Sequence, residues 1–307
     1  MYKITKPDFI NNFIWIYELS RLEAIWGECK LKLSKTKNLM NSWRQLAIAT
    51  YTAPKDSRIY GTYEVDVTSV LQYIKEKREA GIHLTITYFV AAAIARALYE
   101  DMPEVNCFIR RGQVVARENA DVFLSVNVGG EAMTGLVLRK CQELSATEIG
   151  QIIQKVVEKK RDGKEEEGAF AAKDKLAKIP WPFRRPVFLF IKWWIFDMGL
   201  AFPFLKIKPD PFGSIMLTNI GTFGLHTGMP ALFPIGKLPA VVAMGKIAKK
   251  PVVINDQIVI RDILPLTGTF DHRIVDGYQA GVLTKGVERR LQDPEALNRP
   301  NNPNNSN

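Results

Sequence analysis

The hydrophobic pattern changes period several times along the chain. Residues 63–67 alternate, as one face of a strand does. Thr68 is placed to cap a helix in which Val70, Leu71 and Ile74 recur at helical spacing. Thr85-Ile86-Thr87 opens a second helix, with Phe89, Val90, Ala93, Ile94 and Ala97 on one side. Its alanines allow close packing, and Met102-Pro103 stops it. Short strands follow at 107–109, 114–115, 122–128 and 136–138, with Gly112 turning the first hairpin. Ser145 with Glu148 three residues on is a capping-box signature. The helix it starts carries Ile149, Ile152, Ile153 and Val156, and ends near Arg161.

Residues 162–211 break this pattern. A charged stretch, RDGKEEEG, precedes a segment rich in aromatics and prolines. Arg184, Arg185, Lys192 and Asp197 interrupt its apolar run, whereas a membrane-spanning helix needs about 20 mostly apolar residues. Packing on the domain and lying on a membrane surface, with Trp193 and Trp194 at the interface, both fit this composition. The remainder is β-rich: 214–219, a turn at Gly221 and Gly224, 240–246, a hairpin over 252–260, and 264–270. A last helix follows Gly277, with Val282, Leu283 and Val287 on its buried face. The Asn/Pro-rich tail, 294–307, reads as disordered. Residues 1–58 read as an N-terminal extension, a strand or short helix packed on the main body.

Composition narrows the class. Hydrophobic residues make up 47% and charged residues 24%, the balance of a soluble globular protein. A net charge of +10 fits nucleic acid, a membrane surface, a polyphosphate ligand or simply a solvated basic surface. The three cysteines, Cys29, Cys107 and Cys141, form no CxxC pair and no disulfide framework. With three scattered histidines, they offer no metal site. MYKITKPDFI lacks the layout of a secretory signal, so the cytoplasm is the expected compartment.

The candidate chemistry centres on His272, which ends a buried strand and precedes Arg273-Ile274-Val275-Asp276-Gly277. Gly277 is expected to permit close backbone approach or a positive φ. Asp276 is expected to bond either backbone N–H groups or Arg273. Imidazole, with a pKa near 6.5, suits deprotonation of a thiol with a pKa near 8.5 as the sulfur attacks. A tetrahedral intermediate needs a donor for its oxyanion, and the Thr218 hydroxyl in LTNIG is the best candidate. By itself, a histidine at a strand end is more often structural, and HxxxD alone is weak.

The company these residues keep is more specific. Phe270–Gly277, FDHRIVDG, preceded by LPLT at 264–267, resembles the active-site signature of the catalytic domain of 2-oxoacid dehydrogenase E2 acyltransferases. Chloramphenicol acetyltransferase shares its HxxxDG core. LTNIG with Phe223-Gly224 looks like the E2 strand that carries the oxyanion hydroxyl. Ala243-Met244-Gly245, Pro251-Val252-Val253, EVDVT at 64–68, Leu84-Thr85, ARAL at 95–98, PEVN at 103–106 and Gly135-Leu136-Val137 match in order. The likeness covers roughly 60–161 and 212–293.

This resemblance implies an α/β fold, a chloramphenicol acetyltransferase-like two-layer sandwich with a mixed sheet covered by helices. The acyltransferase domain would span 59–293, with 162–211 as a hydrophobic insertion. It implies that His272 is the general base and Thr218 the oxyanion donor. Asp276 orders the loop, with Gly277, Arg273 and Asn219 in support. It further implies a homotrimer with active sites at subunit interfaces, and coenzyme A as a substrate whose phosphates part of the +10 charge would serve. No nucleic acid is expected.

Three departures matter. No lipoyl module is recognisable, since Asp174-Lys175 lies in a helical stretch rather than a hairpin tip. Lipoamide would then sit on a separate carrier protein, or the acyl group would travel otherwise. The 162–211 stretch is longer and more aromatic than the usual connection; it fits extra core, surface cover or a trimer contact, a membrane-surface patch over 181–206, or a cover for a hydrophobic acyl chain. Leu138-Arg139 follows Gly135-Leu136-Val137 where E2 domains usually place proline. The leading function is acyl transfer between coenzyme A and a thiol such as dihydrolipoamide. The alternatives are an E2-like enzyme with a lipophilic acceptor, and a non-catalytic trimeric scaffold.

Overall fold

The computed structural model describes residues 57–128, 132–161, 180, 183–200, 210–232 and 236–301. The expected extension up to 56, much of the 162–211 stretch and residues 302–307 lie outside the described residues. The strands are β1 (Arg58–Asp66), β2 (Cys107–Arg110), β3 (Gln113–Ala116), β4 (Val122–Val128), β5 (Ala132–Leu138), β6 (Ile215–Asn219), β7 (Ala240–Met244), β8 (Ala248–Ile254) and β9 (Gln257–Asp271). The helices are α1 (Thr68–Glu79), α2 (Ile86–Arg96), α3 (Ala146–Arg161), α4 (Arg184–Lys192), α5 (Gly277–Leu291) and α6 (Pro294–Leu297).

The main sheet runs β1-β9-β7-β6-β4-β5, with β8 also paired to β9, and β2-β3 is a separate hairpin. It is mixed, because β6 runs parallel to both β4 and β7 while the other pairs are antiparallel. The two strand signals at 258–260 and 264–270 prove to be one 15-residue strand, β9. Its first half pairs with β8 and its second half lies between β1 and β7. The turn into β9 places Asn255 and Asp256 at positive φ, as a tight two-residue hairpin requires.

Alternation decides which side chains face the helices. Leu264, Leu266 and Phe270 of β9 join Val242, Met244, Ile215, Leu217, Val122 and Leu124 in the larger core. Against them packs α2, buried at every position from Tyr88 to Arg96. A helix apolar all round belongs at the centre of a core, and each large side chain there contributes roughly 1.5–3 kcal/mol. Cys141 lies in the same core, and burial pushes its thiol well above the usual range.

Arg96 is the polar exception in α2. Its guanidinium donates to the carbonyls of Ala296 (2.9 Å), Leu144 (3.1 Å) and Arg299 (2.7 Å). Burial lowers its pKa, and the Glu100 carboxylate opposes that shift. These bonds correct the expectation of disorder from 294 onward. α6 is capped by Asp293, Leu297 is buried, and the Asn301 N–H donates to Glu143. The low-complexity composition is real, but Arg96 gives this stretch buried partners.

Thr68 does not cap α1 either. It is the first helical residue, and its hydroxyl donates to Asp66 at 2.6 Å. Ser145 and Glu148 do form the expected reciprocal cap, with Ser145 N–H to carboxylate at 2.8 Å and Glu148 N–H to hydroxyl at 3.2 Å.

The other face of the sheet is not bare. Phe123 and Val241 project there and pack with Ile191 and Ile195 from the α4 region, Phe212, Leu232 and Leu238. The two-layer architecture therefore gains a local third cover, to which Ile191 and Ile195 of the 162–211 stretch contribute beside Phe212, Leu232 and Leu238.

Candidate active site

His272 follows the last residue of β9. Its backbone N–H donates to the Ser57 carbonyl at 2.5 Å, which continues the β1–β9 pairing by one residue. The Asp271 carbonyl accepts from the N–H groups of Ile274 and Val275, both at 2.9 Å, and so closes a tight turn. Val275 and Ile274 are buried beneath this turn. The ring is then fixed by a second local bond, His272 Nδ1 to the Val275 carbonyl at 2.9 Å. A carbonyl oxygen only accepts, so in the neutral ring Nδ1 carries the proton and Nε2 the lone pair. That is the tautomer a general base needs at Nε2.

The neighbours divide their work differently from the two options left open by the sequence. Arg273 does not reach Asp276. It pairs with Asp271, Nε to Oδ1 at 2.9 Å and Nη2 to Oδ2 at 2.5 Å, with both side chains largely buried. Asp276 instead takes the backbone option. It caps α5, accepting from the N–H groups of Tyr278 (3.1 Å) and Gln279 (3.5 Å). Gln279 returns the bond, accepting from the Asp276 N–H at 2.9 Å, and also donates to Glu104. This second capping box was legible as Asp276 and Gln279 three apart.

Gly277 is corrected too. It is the first residue of α5, its φ is not positive, and a Cβ there would meet nothing within 4 Å among the described residues. Neither backbone strain nor an intrachain approach requires glycine at this position.

Thr218 lies near the end of β6, half-buried, opposite Ser125 of β4 and Ala243 of β7. Ile215 and Leu217 point into the larger core, so Thr218 and Met216 face the side covered by the α4 region. Among the described residues the Thr218 hydroxyl has no hydrogen-bond partner. The next turn is held by close backbone contact. The Ile220 N–H donates to Met244 at 2.9 Å and the Gly245 N–H to Pro265 at 2.8 Å. A Cβ on Gly221 would come within 2.5 Å of the Gly245 carbonyl, and one on Gly245 within 1.8 Å of the His226 carbonyl. Asn219 ties this end of β6 to α2, donating to Thr87 at 3.2 Å.

The single chain does not bring Thr218 and His272 together. Ala243 stands opposite Thr267, so Thr218 is two strands from β9 at the level of Thr267. His272 lies five residues further on, about 17 Å along the strand, with about 10 Å across two strands to add. Sequence reasoning also missed Asp271 and the carbonyls of Ser57 and Val275. A carbonyl leaves no residue-type signal, but an Asp directly before a His and an Arg does.

The comparisons concern the family and the fold. The model of the 2-oxoacid dehydrogenases acyltransferase (catalytic domain) matches residues 32–171 and 207–298. The dihydrolipoyllysine-residue succinyltransferase component of the 2-oxoglutarate dehydrogenase complex of Haemophilus influenzae is 26% identical over 239 residues, 76% of this chain and 48% of that protein. The dihydrolipoyllysine-residue acetyltransferase component of the pyruvate dehydrogenase complex of Corynebacterium glutamicum is 27% identical over 277 residues, 86% of this chain and 34% of that protein. The chain thus spans half or less of these curated relatives. A probable dihydrolipoamide acetyltransferase from Listeria monocytogenes superposes with a TM-score of 0.57 at 20% identity, over 90% of this chain and 98% of that one. The dihydrolipoamide acetyltransferase of Azotobacter vinelandii gives 0.56 at 16% identity, over 97% and 99%. Both share the mixed sheet and its helical cover. With three-quarters of its length matched by that model, this chain belongs to the 2-oxoacid dehydrogenase acyltransferase (catalytic domain) family.

Proposed function

We propose that this protein transfers an acyl group between coenzyme A and a thiol such as dihydrolipoamide, in a site shared by two copies of the chain. The observation that carries this reading is the His272 ring, locked by the Val275 carbonyl with its lone pair on Nε2. The acyl thioester supplies an electrophilic carbonyl. Nε2 takes the proton of the attacking thiol as the S–C bond forms. The Thr218 hydroxyl donates to the carbonyl oxygen as it gains charge. When the intermediate collapses, the coenzyme A sulfur leaves and recovers the proton from Nε2. Asp276 and the Asp271–Arg273 pair touch no reacting atom in this scheme; they are positioning residues. Lipoamide would be carried on a lipoyl domain outside the catalytic region. That region is read as spanning the matched residues 32–171 and 207–298, with 172–206 between them.

The register supports a site shared between copies. Thr218 and His272 are too far apart to act in one chain, so each copy lends its hydroxyl to a neighbour's imidazole. A homotrimer closes such a head-to-tail arrangement. The β8–β9 hairpin supports a contact between copies. Val253 pairs with Ile258, and Pro251 with Ile260, on one face. Val253, Ile258 and Ile260 are 70%, 78% and 72% exposed, a strip that a second chain would cover.

Mixing two inactive variants tests the shared site. Thr218→Ala and His272→Ala chains, unfolded together and reassembled in equal amounts, are assayed for coenzyme A release from acetyl-CoA with dihydrolipoamide. A site needing one residue from each of two chains regains about a quarter of the wild-type rate. Mixed assemblies with no recovery would return both residues to one chain. An inactive wild type would reject the acyl-transfer reading itself.

A further inference from the structure

The α4 region stands apart from the family core. Residues 172–206 fall between the two matched stretches, so the family model does not cover this helix. One side of it is packed: Ile191 and Ile195, one turn apart, are buried against Phe123, Phe212 and Val241. The opposite side is apolar but not packed. Phe183, Val187, Phe190 and Trp193 recur at steps of four, three and three, which places them in one stripe. All four are exposed, Phe183 at 64%, and Leu189 lies beside them. Phe190 and Trp193 are in ring contact, with centroids 6.0 Å apart.

Among the described residues, the charges beside the stripe are cations apart from Asp197. Arg185 and Lys192 are seven residues apart and therefore share one edge of it. At the far end, Arg111 donates to the Asp197 carbonyl at 3.2 Å, and Arg110 lies against Gly199. The acidic side chain here, Asp197, is already paired with Lys237 at 2.5 Å. The Lys237 ammonium is pushed down by burial, drawn back by Asp197, and pushed down further by Lys192 and Arg110. These cations feel one another, and no carboxylate of the helix remains to balance them.

An exposed aromatic stripe edged by cations matches an interfacial helix, whose apolar face enters the headgroup boundary while its basic edge meets lipid phosphates. We propose that the helix of residues 183–197 seats this protein on an anionic bilayer surface. A transmembrane role is not needed, since no described helix is long and apolar enough to cross. The helix packs on the face of the sheet that carries Thr218, so docking would hold the acyl-transfer region beside the membrane. The proposal does not depend on which acyl acceptor is used, because its readout is binding.

Cosedimentation with vesicles tests it. The full chain is spun with phosphatidylcholine vesicles alone and with vesicles holding about 30% phosphatidylglycerol. Binding to the anionic vesicles should be at least about tenfold stronger, and should fall as salt shortens the range of the charges. Phe183→Ser combined with Phe190→Ser and Trp193→Ser should abolish it. Arg185→Glu with Lys192→Glu should abolish it separately, and these exposed changes should leave circular dichroism and oligomeric state unaltered. Equal binding to both vesicle types, or unchanged binding by both variants, would overturn the proposal. So would a loss of oligomeric state in the serine variant, because that would assign the stripe to a second copy of the chain.

Discussion

The two halves of the candidate site are built in opposite ways. The His272 turn is closed by bonds that span a few residues: Asp271 to Ile274 and Val275, His272 to Val275, Arg273 to Asp271, and Asp276 to Gln279. The Thr218 end has local bonds only in the turn after it, from the Thr222 hydroxyl to the Asn219 carbonyl and from the Phe223 N–H to the Ile220 carbonyl, both at 3.0 Å. Its place follows from strand register through β4, β7 and β9, and from the glycine contacts at 221 and 245. A locally closed turn tolerates distant change. A register-built position moves with the sheet.

Substitutions can break this contrast at either half. The largest expected effect is His272→Ala, a loss of about three orders of magnitude in turnover at unchanged stability, read by coenzyme A release and thermal melting. Retained turnover would remove the base from the mechanism. Gly245→Ala should be the severest change at the other half. Its methyl would meet a backbone carbonyl, and unfolding by urea should show a loss of about 3 kcal/mol. Thr218→Ala should lower turnover by about two orders of magnitude, near 2.7 kcal/mol of barrier, without altering stability. Thr218→Ser, which keeps the hydroxyl, should recover most of the rate. Asp276→Ala is the smallest, about 1 kcal/mol of stability through the lost α5 cap. Its turnover should fall less than that of Thr218→Ala, and an equal fall would promote Asp276 beyond a positioning role.

Much of the fold was legible because its signals are local. The Ser145–Glu148 cap, the Gly112 hairpin and the period-two strands 122–128 and 214–219 form almost where the pattern places them. The continuity of β9 was harder to see. Hydrophobic alternation continues through 257–271, but Asp262 and Pro265 look like breaks, and only pairing with three different strands joins the halves. Arg96 shows the same limit. A cation on an otherwise apolar helix carries no sign that carbonyls 48 to 203 residues away will converge on it.

What the sequence determined by itself was the local turn at one end of β9. His272, its carbonyl partner three residues on and the Asp276 cap all lie within eight residues, where chain geometry leaves little choice. The tertiary structure decided the rest. It assigned Arg273 to Asp271 rather than Asp276, because the turn points both toward the buried side. It also separated Thr218 from His272. Residue spacing measures distance along a chain, whereas the register sets distance across a sheet, and here it holds the two residues two strands and five positions apart.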